Sequence, residues 1–224
     1  PSRAHVTQFY DVFGALLMND LYHRTFEEPA MDIMIEECCF ESRHNVVEIG
    51  PGGGFLAEKI LRAAPGLHYT GADLSAAMVT KATARLKPFI DGGGVRLLLV
   101  NDSLSFLAAQ EASVDRFVFT YVLDLLPPAD IDDLAKVLRE KLKGSNAKVC
   151  VVNLTHGFTG LSRLVTNVWQ LLYRHLGGAA VGGCRPIQAS DYFLPRDGFR
   201  VDSRQLTVSA GLPSEVSIIS AGGS

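Results

Sequence analysis

His44-Asn45-Val46-Val47-Glu48-Ile49-Gly50-Pro51-Gly52-Gly53-Gly54 is the stretch whose reading decides the fold of this 224-residue chain. An apolar, β-branched run ends in a glycine cluster. Phe55 to Ala64 then carries a helical pattern, stopped by Pro65-Gly66. Glycines between a strand and a helix let the backbone turn tightly and come close to a ligand. The helix that follows offers unpaired N–H groups at its first turn.

Outward from this unit, strand-like and helix-like segments alternate. The pattern predicts strands at Leu67 to Ala72, Val95 to Val100, Val114 to Val122 and Ala147 to Leu154. It predicts helices from Ser75 to Leu86 and from Asp130 to Lys141. Such alternation means an α/β fold, a mostly parallel Rossmann-like sheet with helices on both faces. Ligands bind such sheets in the crevice at the strands' C-terminal ends. The tail reads as a helix from Leu161 to Leu176, a glycine-rich loop, and two β-rich runs, Phe199 to Ser209 and Glu215 to Ser220. These close the sheet as a hairpin, so the expectation is seven strands with an antiparallel last one. One domain over residues 1–224 is expected: a helical extension and lid at 1–40, a core at 44–155, an insertion at 157–195 and the hairpin at 198–220.

Asp73 stands 19 residues after Gly54, at the end of the second strand. A carboxylate there suits a ribose diol, since it accepts two hydroxyl hydrogen bonds. A nicotinamide fingerprint, GxGxxG, counted from Gly50 would need glycine where Phe55 stands. No Gly-Lys-Ser/Thr follows, so a Walker loop is also excluded.

The pattern Glu48-Ile49-Gly50-Pro51-Gly52-Gly53-Gly54 resembles motif I, (E/D)xGxGxG, of class I S-adenosylmethionine-dependent methyltransferases. Asp73-Leu74-Ser75-Ala76-Ala77-Met78 is similar to the family's second-strand element, and Asn101-Asp102-Ser103 to its adenine-side acid. Val114-Asp115-Arg116-Phe117 with Thr120-Tyr121-Val122-Leu123 resembles its fourth strand. The likeness spans residues 44 to 220 and is nearest the ubiquinone/menaquinone-biosynthesis and phosphatidylethanolamine types. It implies an enzyme using S-adenosylmethionine and releasing S-adenosylhomocysteine. It implies that Glu48, Gly50, Gly52 and Gly54 surround the methionine end, and that Asp73 holds the ribose. Leu74 and Met78 would line the adenine, Asp102 and Ser103 would meet its amino group, and Tyr121 would sit near the sulfonium. Tyr10 resembles an N-terminal aromatic that closes over the cofactor. Pro51 departs from the Cys, Ala or Ser more usual there and supplies no N–H.

A base is needed only where the acceptor must lose a proton. Asp124 and His156, at the ends of the fourth and fifth strands, are the catalytic candidates. Equally, Asp124 orders the loop before Pro127-Pro128 and His156 is a surface residue at a helix entry. Tyr22, Trp169 and Arg185 are the substrate-side candidates, Arg185 as a clamp for an acidic group. The helix from Leu161 to Leu176 is apolar over most of its girth. It lines an acceptor pocket, touches a membrane, or packs on the sheet.

Composition limits the partners. Lys+Arg is 21 and Asp+Glu is 24, a net charge of −3 without a basic stripe. That is no footprint for nucleic acid, and the (D/N)PP(Y/F/W) signature of nucleic-acid aminomethylation is absent. No apolar run reaches the length of a membrane span and no leader is read at the start, so a cytoplasmic location is expected. The four cysteines form no CxxC pair and are expected as free, buried thiols, with no metal site. The expected acceptor is a small, apolar or lipid-like molecule. Three alternatives stand beside it: a cofactor-binding sensor or partner subunit without catalysis, a nicotinamide-dependent oxidoreductase, which Phe55 argues against, and an enzyme of the phospholipid surface.

Overall fold

In the computed structural model, the described residues are 20–110, 113–176 and 184–222. A helical turn, Asp20–Tyr22, runs through a π-helical turn, His23–Glu27, into helix α1, Glu28–Cys38. Then follow β1 (Asn45–Ile49), α2 (Phe55–Ala63), β2 (His68–Asp73), α3 (Ala76–Asp91), β3 (Val95–Leu99) and α4 (Ser103–Ala108). The chain continues through β4 (Arg116–Thr120), α5 (Pro128–Leu142), β5 (Lys148–Leu154), α6 (Gly160–Leu176), β6 (Phe199–Ser209) and β7 (Leu212–Ala221).

The seven strands form one sheet in the order β3-β2-β1-β4-β5-β7-β6. All neighbours up to β5 are parallel, and β7 is antiparallel to both β5 and β6. The expected Rossmann-like sheet with its antiparallel last strand is therefore the observed one. Its inner strands are apolar on both faces, as parallel strands covered by helices must be. Val46, Val118, Cys150 and Val152 pack under α1, α2 and α3. Val47, Ile49, Phe117, Phe119 and Val151 pack on the opposite side with Leu134 and Leu138 of α5. The strand order reverses between β1 and β4, which opens a crevice at their C-terminal ends.

Some boundaries differ from the sequence reading. Helix α3 is capped by Ser75, whose Oγ accepts from Met78 N at 3.2 Å, but it runs past Leu86 to Asp91. Phe89 and Ile90 pack on the core and hold this last stretch despite Pro88. Helix α4 was not expected; Asp102 starts it by accepting from Ser105 N at 2.9 Å. Strand β7 begins at Leu212 rather than Glu215, because the hairpin turns within Ala210-Gly211.

The cysteines need correction. Cys38 and Cys150, 112 residues apart, form a disulfide rather than two free thiols. Sequence spacing could not foresee this, since only the packing of α1 on β5 brings the two buried side chains together. The same contact satisfies a buried cation: Arg116 Nε donates to Cys38 O at 2.8 Å, and Nη2 reaches Cys39 O. Those carbonyls end α1 and would otherwise lack donors. Cys39 and Cys184 remain free.

Candidate active site

The crevice between β1 and β4 opens into a cavity whose first wall is the glycine turn. Gly50 has φ +69, and a Cβ there would lie 2.5 Å from Val122 Cγ2. Only glycine fits that conformation and that contact together. Its N–H donates to Ala72 O at 2.8 Å, tying the turn to β2. Gly52 also has positive φ, +51, and nothing lies within 4 Å of where its Cβ would be. Its N–H donates to Asp73 Oδ2 at 3.1 Å, and Asp73 Oδ1 accepts from Ser75 N at 2.9 Å. One carboxylate therefore braces two loops while staying half-exposed on the cavity wall. Gly54, the N-cap of α2, does not line the cavity; it backs onto Ala82, 3.3 Å from a would-be Cβ.

Glu48 lies beneath the turn, buried, with Oε2 accepting from Tyr69 Oη at 2.6 Å. Burial pushes its carboxyl up to about 7, although the Tyr69 hydrogen bond opposes the shift. Asp73, Leu74, Met78, Asp102 and Ser103 continue the wall along the ends of β2 and β3. Met78 is buried, while Asp102 spends Oδ2 on the first turn of α4, holding Ser105 N and Oγ.

The opposite wall comes from β4 and the N-terminal helical segment. Tyr121 has φ +52, a strained backbone for a residue with a Cβ. Its N–H donates to Val152 O at 2.7 Å, and its hydroxyl meets Ser214 Oγ at 2.7 Å. These bonds fix the ring on the cavity wall. His23 and Glu27, both buried, line the same cavity. His23 Nδ1 lies 2.7 Å from Glu27 Oε2, and its ring stacks on Phe55 at 5.0 Å between centroids. The π-helical turn carries this pair inward; such turns recur at functional sites. The sequence reading takes His23 as a structural histidine without patterned company and does not single out Glu27. Their one signal was the i, i+4 spacing within His23-Arg24-Thr25-Phe26-Glu27.

Several expected site residues stand behind the walls rather than on them. Asp124 is fully buried outside the lining, accepting from Leu154 N at 3.1 Å. Burial pushes its carboxyl up to about 7, against the pull of that hydrogen bond, and Oδ1 has no partner. Arg185 clamps the same loop: its N–H donates to Asp124 O at 2.9 Å and Nη2 to Leu126 O at 2.7 Å. Leu125 and Leu126 of this loop line the cavity, so Arg185 shapes the wall from outside. Trp169 Nε1 donates to Cys184 O at 3.0 Å and joins α6 to the segment carrying Arg185. Tyr22 packs edgewise on His23 and against Phe26, its hydroxyl pushed up by burial and then by the Glu27 carboxylate. His156 is exposed, with Nδ1 3.2 Å from Gln170 Nε2, and is not part of the cavity lining. Tyr10 lies outside the described residues.

Residues 47–146 match a family model described as a methyltransferase domain. No curated protein matches the sequence. Among solved structures, magnesium protoporphyrin IX methyltransferase from Synechocystis PCC 6803 with bound SAH is similar, at 14% identity and a TM-score of 0.74. The match covers 98% of this chain and 100% of that one. The cyclopropane synthase MmaA2 from Mycobacterium tuberculosis is similar at 14% identity and TM-score 0.66, over 92% of this chain and 78% of that one. The mitomycin 7-O-methyltransferase MmcR is similar at 20% identity and TM-score 0.62, over 93% of this chain and 60% of that one. Residues 47–146 thus match a methyltransferase domain, and the chain as a whole has the fold of these methyltransferase structures.

Proposed function

We propose that this methyltransferase transfers the methyl group to a small, apolar, lipid-like acceptor held between the glycine turn and the π-helical turn. The observation that carries the reading is one cavity lined by Gly52 and Asp73 together with His23 and Glu27. The residues present fit the donor. Gly50 and Gly52 leave a backbone-lined hollow where side chains would intrude, and Asp73 stands at the end of β2 for a ribose. S-adenosylmethionine supplies an activated sulfonium methyl, so the protein's main task is alignment. Glu48, Gly50 and Gly52 would border the methionine end, Leu74 and Met78 the adenine, and Asp102 and Ser103 its amino edge. Gly54 supports the turn from behind.

Where the acceptor carries a proton, His23 is the proposed base. Glu27 holds Nδ1, which leaves Nε2 as the nitrogen that takes the proton. Asp124 and Arg185 then act by setting the Leu125-Leu126 wall. The lining at Met31, Val122, Leu125 and Leu126 favours an apolar acceptor. The small-molecule acceptors named for two similar structures, magnesium protoporphyrin IX and mitomycin, agree with that class.

Calorimetry with S-adenosylmethionine, S-adenosylhomocysteine and NADH tests the donor side: micromolar binding of the first two, absent for NADH, is expected. An acceptor screen with labelled donor tests the rest, and transfer only to polar or macromolecular acceptors would overturn it. A cytoplasmic location is part of the proposal. There the Cys38–Cys150 pair would be held reduced, so protein taken from cells under thiol trapping should show four free cysteines. Two free thiols and one bridge would place it in an oxidising compartment.

A further inference from the structure

Helix α6 is built inside out. Its inward side mixes polar and apolar groups: Val165 and Trp169 are half-buried, and Ser162 and Thr166 are buried, with Ser162 Oγ accepting from Thr159 N at 2.9 Å and Thr166 Oγ1 from Gly157 N at 3.2 Å. Its outward side is aliphatic. Leu161 is 63% exposed, Leu164 61%, Val168 48%, Leu171 55% and Leu172 37%. The spacing i, i+3, i+7, i+10, i+11 puts all five on one face. An isolated exposed leucine needs no explanation, but a helix-long stripe does. None of these residues lines the cavity, so the stripe is not the acceptor pocket wall.

Charge says what covers it. Arg163 and Arg174 are exposed along one edge of the stripe, and no Asp or Glu occurs from residue 141 to residue 190 in a chain that carries 24 of them. The helix itself carries Arg163, Arg174 and His175 and no acid. An aliphatic face with a cationic edge and no acids is the pattern of a helix lying in the headgroup region of an anionic bilayer. A second copy of this chain would bring the same cationic edge to meet it, with no acid on α6 to receive it. No helix among the described residues is long and apolar enough to cross a membrane, so the contact is a surface one.

We propose that α6 is a membrane-docking helix, which inserts Leu161, Leu164, Val168 and Leu171 among the acyl chains of an anionic lipid surface and sets Arg163 and Arg174 against its headgroups. The proposal stands apart from the acceptor reading, since its test reads vesicle binding and not turnover.

The test is flotation of the full chain with vesicles of phosphatidylglycerol and phosphatidylcholine, and with phosphatidylcholine alone. Strong binding to the anionic vesicles, weakened by salt, is expected. Leu164→Gln with Leu171→Gln should lower vesicle affinity by at least about tenfold. Arg163→Gln with Arg174→Gln should lower it by about tenfold or more on anionic vesicles only. Both pairs are exposed, so unchanged circular dichroism and donor binding will show that the variants fold. Absence of binding at low salt, or binding that neither variant weakens, would overturn the proposal. So would a dimer in sedimentation that the leucine variant converts to monomer, since the stripe would then join two copies.

Discussion

The two walls of the cavity are made in different ways. The donor wall is almost continuous in sequence, running from Glu48 through Asp73 to Ser103 over three strand ends. The facing wall joins His23 and Glu27, ahead of the first strand, to Tyr121 and the Leu125-Leu126 loop about a hundred residues later. The first wall rests on backbone conformation, which glycines and a capping carboxylate specify locally. The second rests on packing and a strained tyrosine backbone, specified only when distant segments meet. In the proposed function, local motifs serve the donor, and long-range packing is where an acceptor would be chosen.

The comparison can be broken first at the glycine turn. Gly50→Val should abolish donor binding and cost roughly 4 kcal/mol, by urea unfolding. The left-handed backbone contributes part of that cost and the contact with Val122 the rest. Val122→Ala should restore some stability in the double variant; full donor binding by Gly50→Val alone would refute the cradle. On the facing wall, His23→Ala should lower kcat about a hundredfold on a proton-bearing acceptor while donor affinity stays within about threefold. Glu27→Gln should do the same to a smaller degree and shift the pH–rate profile. An equal loss of donor affinity would merge the two walls into one site.

The buried carboxyls sharpen the contrast through pH. Glu48 titrates at about 7 in the folded chain and near 4.5 unfolded, so between those values the folded state holds the extra proton. Its contribution to stability is full below pH 4.5 and is lost as pH rises through 7. Unfolding free energy should fall by about 2 kcal/mol from pH 5 to pH 7 on its account, and Glu48→Gln should lack that share. Asp124, also raised to about 7, should contribute a second share of the same sign, removed in Asp124→Asn. Saturating donor should alter the Glu48 share and leave the Asp124 share, if only Glu48 borders the donor. The smallest effect is expected from Asp73→Ala, about tenfold weaker donor binding by calorimetry, through loss of ribose contacts and of the brace on Gly52. Unchanged affinity would move the ribose elsewhere.

From the sequence alone came the alternating α/β order, the parallel sheet with its closing hairpin, and the glycine turn with Asp73 beside it. Those features are encoded within short windows: apolar runs of strand length, glycines where φ must be positive, and Asp73 and Ser75 at strand and helix ends. The lengthening of α3 past Pro88 and the start of α4 escaped that reading, because packing of Phe89 and a cap at Asp102 decided them. Tertiary structure alone put His23 and Glu27 into the cavity, left His156 outside it, and set Asp124 and Arg185 behind its wall. It alone joined Cys38 to Cys150 and turned the leucines of α6 outward. An amphipathic pattern specifies that a helix has two faces, but which face meets the protein depends on what the neighbouring elements present to it. Against α6 the chain presented hydrogen-bonding partners for serine, threonine and tryptophan, and left the aliphatic face to the surroundings.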